Sequence, residues 1–139
     1  MSIIKNAEHD DSPTPICHIV TPIGMLGYGF DETLTSAALA RLVATNVPTA
    51  IILDSGSTDS GPEKLALGNT SLPREAYLRD ISRLLKLVDN FRVPLIFSSA
   101  GGDGSDEHVR EMLEVIEEIA GNTHNQFVKA LGWARTALC

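Results

Sequence analysis

Three short apolar runs, separated by stretches in which apolar positions recur every three or four residues, set the pattern of this chain. ICHIV (Ile16–Val20), AIILD (Ala50–Asp54) and VPLIFSS (Val93–Ser99) are continuous rather than alternating. Runs of that kind predict strands buried on both faces, as in parallel sheets. Pro94 stands at the entrance of the third run, where a missing N–H is tolerated. Between the runs the period becomes that of a helix. Tyr77, Ile81, Leu84, Leu85 and Val88 form one stripe of a helix starting near Pro73. Val109, Met112, Leu113, Ile116, Ile119 and Ala120 form another, with Ser105 or Asp106 as cap and Gly121-Asn122 as stop. A weaker helix lies between the first two strands, capped by Asp31, striped by Leu34, Ala38 and Leu42, and ended by Pro48.

Strand and helix in alternation predict an α/β fold: a Rossmann-like or flavodoxin-like three-layer unit on a short parallel sheet. Residues 1–15 read as a flexible arm, because HDDSPTP joins charge to two prolines and offers nothing to bury. Residues 16–121 form the α/β domain and 122–139 a divergent tail. In that tail Gln126–Ala130 suits a fourth strand, while Phe127, Ala130, Leu131, Ala134 and Leu138 suit a terminal helix equally well. A sheet of only three strands is short enough to be incomplete. Its unpaired edges make a homo- or hetero-oligomer an expectation.

Composition narrows the choice of partner. The chain has 139 residues, the size of one domain, with 43% hydrophobic and 21% charged residues, so it folds. Eleven Lys and Arg against eighteen Asp and Glu give a net charge of −7, which disfavours nucleic acid or an anionic membrane surface as main partner. No apolar run reaches the roughly 18 residues of a membrane span. The opening MSIIKNAEHDDSPTP is neither a secretory signal nor a transit peptide. Cys17 and Cys139 cannot build a multi-bridge framework, so a reducing, cytoplasmic setting is expected.

In an open parallel sheet, ligands bind outside the carboxyl ends of the strands. All three runs end there in loops rich in Gly, Ser, Thr and Asp: Thr21–Asp31, Asp54–Pro62 and Ser98–His108. Asp54 closes a buried strand and Asp59 follows five residues later, with Ser55, Ser57 and Thr58 adding hydroxyls and Gly56 and Gly61 allowing close backbone approach. In the third loop Gly101, Gly102 and Gly104 surround Asp103, and their N–H groups form an anion-favouring nest. Asp103, Asp106 and Glu107 crowd that nest and repel phosphate. No Lys follows as in a P-loop, and Gly24–Gly29 lacks the dinucleotide-binding spacing. Carboxylates gathered from separate loops suit three tasks. They can hold a divalent cation, split into acid and base, or accept hydrogen bonds from ligand hydroxyls. Each residue also has a plain structural reading: Asp54, Asp59, Asp103 and Asp106 as turn and cap formers, His18 as a satisfied core histidine, His108 and His124 as solvent-facing, and Cys17 as a small buried hydrophobe. Glu111, Glu114, Glu117 and Glu118 make a solvated helix face.

Three stretches carry a resemblance to a known family. VTPIGMLGYGF (Val20–Phe30), IILDSGSTDSGPEKLALGNTSLPREAYLRD (Ile51–Asp80) and SSAGGDGSDEHV (Ser98–Val109) resemble the N-terminal part of the acyclic terpene utilisation protein A family. The resemblance covers roughly residues 16–121. It implies a role in catabolism of branched acyclic terpenoid acids, at an acyl or acyl-CoA stage. The motif positions it marks are Gly24, Gly27, Asp54, Ser55, Gly56, Ser57, Thr58, Asp59, Gly61, Lys64, Gly101, Gly102, Asp103 and Gly104. Asp54, Asp59 and Asp103 are then the candidate catalytic or metal-holding groups and the others candidate contacts to a small-molecule substrate. Lys64 stands where it can pair with Asp59 or hold a substrate carboxylate. After Gly121-Asn122 the family continues into a further strand and a long C-terminal region, whereas this chain runs FVKALGWARTALC. The departure leads one to expect a short or truncated member.

Overall fold

The computed structural model of the chain describes residues 15–57 and 59–122. The arm expected at 1–15 falls outside these but for Pro15. Thr58, the strand or helix expected in the tail, His124 and Cys139 also lie outside the described residues.

The centre of the sheet is β2 (Thr49–Asp54), which pairs in parallel with β1 (His18–Val20) on one side and β3 (Leu95–Ser98) on the other. Among the described residues five helices complete the elements: α1 (Glu32–Val43), α2 (Gly61–Leu67), α3 (Arg74–Phe91), a 3₁₀ turn (Ala100–Gly102) and α4 (Asp106–Asn122). The protein is therefore an α/β unit with a three-stranded parallel sheet flanked by helices, a short Rossmann- or flavodoxin-like arrangement. Strands 1, 2 and 3 lie side by side in chain order. Two successive right-handed crossovers in one direction place their helices on the same face. Accordingly α1 packs on β1 and β2, α3 on β3, the two touch each other, and α4 packs on α3.

That side holds the core. Ile51 and Leu53 of β2 meet Leu39 of α1, and Tyr77, Ile81, Leu84 and Leu87 of α3, with Met112 and Val115 of α4 behind. The opposite face carries Ile19, Ile52 and Ile96, with Ile19 59% and Ile96 55% exposed. Continuous apolar runs predict cover on both faces; among the described residues only one has it, because chain-order topology brings the long helices to one side.

Several helix details differ from the pattern reading. Asp31 caps α1 as expected, its carboxylate accepting the Leu34 N–H at 2.9 Å. The buried positions of α1, however, are Thr35 and Leu39, and Leu34 is exposed. Thr35 tolerates burial because its hydroxyl donates to the Asp31 carbonyl at 2.7 Å. α2, absent from the pattern reading, opens with Pro62 in its first turn and closes on Gly68 in the left-handed region. Cys17 is exposed rather than buried, since it precedes β1 and no described helix covers it.

Candidate functional site

The carboxyl ends of β2 and β3 are stitched together before either loop departs. Asp54 and Ser98 are register partners, and the Ser55 N–H donates to the Ser98 carbonyl at 3.1 Å. The first loop joins them through the Leu26 N–H, which donates to the Asp54 carbonyl at 2.9 Å. Three loops that begin far apart in sequence therefore meet at one edge.

Asp54 is the hub of that edge. Its Oδ1 accepts the Ser55 N–H at 2.7 Å, the Gly56 N–H at 3.1 Å and the Ser98 hydroxyl at 3.0 Å. Burial opposes ionisation, but hydrogen bonds from Gly56, Ser98, Ser55 and Ser99 outweigh it and hold the carboxyl below its ordinary value. Asp54 is thus an exposed carboxylate, acceptor only.

The third loop leaves β3 through Ser99, a non-glycine residue in the left-handed region (φ 53°, ψ 42°), a conformation that costs on the order of 1 kcal/mol. The chain then tightens into the 3₁₀ turn, with Gly102 N–H donating to the Ser99 carbonyl at 2.8 Å and Gly104 N–H to that of Ala100 at 3.0 Å. Gly102, at φ 123°, lies against Ser71, and its carbonyl lies where any Cβ on Gly56 would sit, 2.6 Å away. A side chain at Gly56 forces the second and third loops apart, and one at Gly102 pushes the third loop off Ser71.

Asp103 ends this turn and turns back into the protein. Its Oδ1 accepts the Ser105 N–H at 2.8 Å and faces His108 Nδ1 at 2.7 Å, with both side chains only 4% exposed. Burial again opposes ionisation, and the bonds from Ser105 and His108 outweigh it, so Asp103 too lies below its ordinary value. An ionised carboxylate only accepts, so the hydrogen in the short contact belongs to His108 Nδ1. The second oxygen of Asp103 is buried with no hydrogen-bond partner among the described residues. His108, expected to face solvent, is instead a buried partner of Asp103. The first turn of α4 aims it inward, under Gly101.

Asp54, Gly56, Ser57, Gly61, Ser99, Gly102 and Asp103 line one cleft of about 370 Å³ together with Pro62 and Leu65 of α2. Other expected residues fall elsewhere. Asp59 is exposed in the turn before α2 and does not line the cleft. Ser55 is fully buried beneath it, its hydroxyl without a partner among the described residues. Lys64 makes no ion pair among the described residues, with Asp59 or otherwise, and its stem packs by Gly102. Gly101 lies over His108 and Gly104 is exposed at the turn's end. Gly24 lines a neighbouring depression, and the Gly27 N–H is taken by Asp80 at 2.9 Å. His18 sits at the amino end of β1, away from the cleft, with Nε2 3.1 Å from the Thr45 hydroxyl.

The pattern reading missed Ser98, Ser99, Pro62 and Leu65 as site residues, and Asp80 as the anchor of the first loop. Asp80 did leave a signal. It stands three residues from Tyr77 and four from Leu84, inside the apolar stripe, where a carboxylate needs partners. Among the described residues no three His, Cys, Asp or Glu side chains group as a metal site requires. No helix among them is long and apolar enough to cross a membrane. Comparison with protein-family models, with curated proteins and with solved structures finds no match.

Proposed function

We propose that this domain binds a small amphipathic molecule at the carboxyl edge of its sheet, with a hydrogen-bond-donating end held by Asp54 and Asp103. One observation carries the reading: two carboxylates held in their ionised form line the same cleft, and Asp103 has a buried oxygen that lacks a donor among the described residues. Of the tasks open to them, accepting a ligand's hydrogen bonds fits best. Carboxyls held below their ordinary value are weak proton acceptors, and no third ligand joins them to complete a metal site among the described residues. Facing them, Pro62 and the exposed Leu65 offer an apolar wall to an aliphatic body.

A hydroxylated or acyl-type branched aliphatic substrate, as the resemblance to the acyclic terpene utilisation proteins implies, fits both walls. Free phosphates of a coenzyme A ester meet two negative charges here, so such an ester would have to place them outside the cleft. The setting of this role is cytoplasmic and its partner a small molecule rather than nucleic acid or membrane. Thermal melts with citronellol, citronellate and citronellyl-coenzyme A test the reading. The alcohol should raise the midpoint most, and Asp103→Asn should abolish the rise. An unchanged rise in that variant would reject it.

A non-catalytic assembly role is the second reading, favoured by the exposed Ile19 and Ile96 beside sheet edges that are unpaired among the described residues. It predicts a dimer in light scattering that Ile96→Lys dissociates. A monomer at all concentrations would exclude self-assembly.

A further inference from the structure

The first loop is anchored far more firmly than a surface connection needs. Leu26 is fully buried, and its N–H is bound to the end of β2. Just beyond it, Oδ2 of the fully buried Asp80 accepts the N–H groups of both Gly27 and Gly29, at 2.9 and 2.8 Å. Arg79 completes the clamp, with Nε on Asp80 Oδ1 at 2.8 Å and Nη2 on the Gly27 carbonyl at 2.7 Å. Gly27 and Gly29 both have positive φ, 101° and 84°, and between them stands Tyr28. The clamp fixes the backbone on either side of an aromatic ring that is itself 68% exposed.

A large aromatic residue on the surface of a rigid loop is ready to cover a ligand, because little backbone freedom is lost on binding. Beside Tyr28 lies a depression of about 520 Å³ lined by Ile23, Gly24, Met25, Gly29 and Ser57. None of these is charged. Met25 supplies an adaptable thioether and Ile23 an apolar floor. Ser57 lines the carboxylate cleft as well, so the two spaces adjoin.

We propose that the depression beside Tyr28 is the second half of the binding site, taking the aliphatic chain of a ligand whose hydroxyl donates its one hydrogen to Asp103 in the cleft. The proposal rests on the reading of the cleft given above. It adds a direction: beyond the first carbons, which meet the wall of Pro62 and Leu65, the chain runs past Ser57 toward Tyr28. It makes Tyr28 and Met25 the residues that measure ligand length.

The test is an NMR titration of the full chain with straight-chain primary alcohols of four to ten carbons. Each added methylene that reaches the depression should tighten binding about three- to fourfold, the ratio expected for burying one CH₂. Tyr28→Ala should flatten this gain. Leu65→Ser should weaken short and long alcohols alike, so that the gain per methylene stays. Tyr28 is exposed, so its truncation does not threaten the fold, and an unchanged melting midpoint verifies that. A gain that persists in Tyr28→Ala and disappears in Leu65→Ser would overturn the proposal, because the chain then lies along α2. Butanol binding that depends on Asp103 but does not improve with length would overturn this proposal alone. No binding of any alcohol would reject it together with the reading of the cleft.

Discussion

Two loops at the same edge are held by the same device used to different ends. In the first loop and in the third, a side-chain carboxylate inside the protein accepts loop N–H groups. Asp80 reaches across from α3, uses Oδ2 for Gly27 and Gly29, and gives Oδ1 to Arg79. Asp103 belongs to its own loop, uses Oδ1 for Ser105 and His108, and keeps Oδ2 without a partner among the described residues. Asp80 is satisfied on both oxygens and lies outside the cleft; Asp103 is satisfied on one and lines it. A fully paired buried carboxylate is scaffold, whereas a half-paired one at a cleft is where a ligand's donor finds its acceptor.

The largest effect should come from breaking the scaffold member. Asp80→Asn removes the buried charge that two N–H groups and a guanidinium share, and turns one acceptor into a donor. A loss of about 3 kcal/mol in urea denaturation, with unchanged slope, is expected. Asp103→Asn should differ in kind. The amide oxygen can still serve Ser105 and His108, so stability should fall by only about 1 kcal/mol. The amide NH₂ replaces the unpartnered oxygen, so binding of a donor-bearing ligand should be lost. Equal stability losses in the two variants, with binding kept in Asp103→Asn, would erase the distinction.

Acid titration sharpens it further. Asp54 and Asp103 are both held below their ordinary value of 3.8, so below that pH the unfolded chain binds protons before the folded one does. Their stabilising contribution is complete above the ordinary value and is lost as pH falls through the depressed folded values. Stability measured by denaturant from pH 6 to pH 2 should therefore decline toward acid. Asp103→Asn should make that decline shallower, and a parallel curve would show that its carboxylate titrates alike in both states.

These residues also mark how far sequence alone reaches. The strands, the cap at Asp31 and the stripes of α3 and α4 were legible because burial leaves a period in the chain. Convergence of the three loops followed from parallel pairing. What failed to show were contacts decided by tertiary approach. Thr35 is inside because it bonds its own turn. His108 is inside because a carboxylate five residues earlier turns back to meet it, a spacing with no helical or strand period. Asp59 and Asp103 look alike in sequence, yet one stays in an exposed turn and the other is drawn into the cleft by Ser105 and His108. α2 went unseen because its seven residues bury none fully and so leave no stripe.

A smaller effect is expected at Arg79. Its side chain is 45% exposed, and Lys can keep the charge near Asp80 but not the second bond to the Gly27 carbonyl. Arg79→Lys should cost about 1 kcal/mol in the same denaturation experiment and, if Tyr28 is positioned as proposed, weaken binding of long alcohols more than short ones.

The smallest effect belongs to Ser71, and it separates two explanations of the unpartnered oxygen on Asp103. The Ser71 hydroxyl is likewise buried without a partner among the described residues, against Gly102 in the same loop. If tight packing around Gly102 simply leaves oxygens unpaired, the two residues are one case. Ser71→Ala should then be neutral within about 0.5 kcal/mol, or slightly stabilising, because a buried hydroxyl without a partner costs desolvation for nothing. Binding should respond to Asp103→Asn no more than to Ser71→Ala. If the Asp103 oxygen is the acceptor for a ligand, the variants part company: Ser71→Ala keeps full affinity while Asp103→Asn loses it. Only Asp103 carries a charge and lines the cleft, so the second pattern is the expected one. A loss of affinity in Ser71→Ala as large as in Asp103→Asn would assign the acceptor to the packing of the loop rather than to its carboxylate.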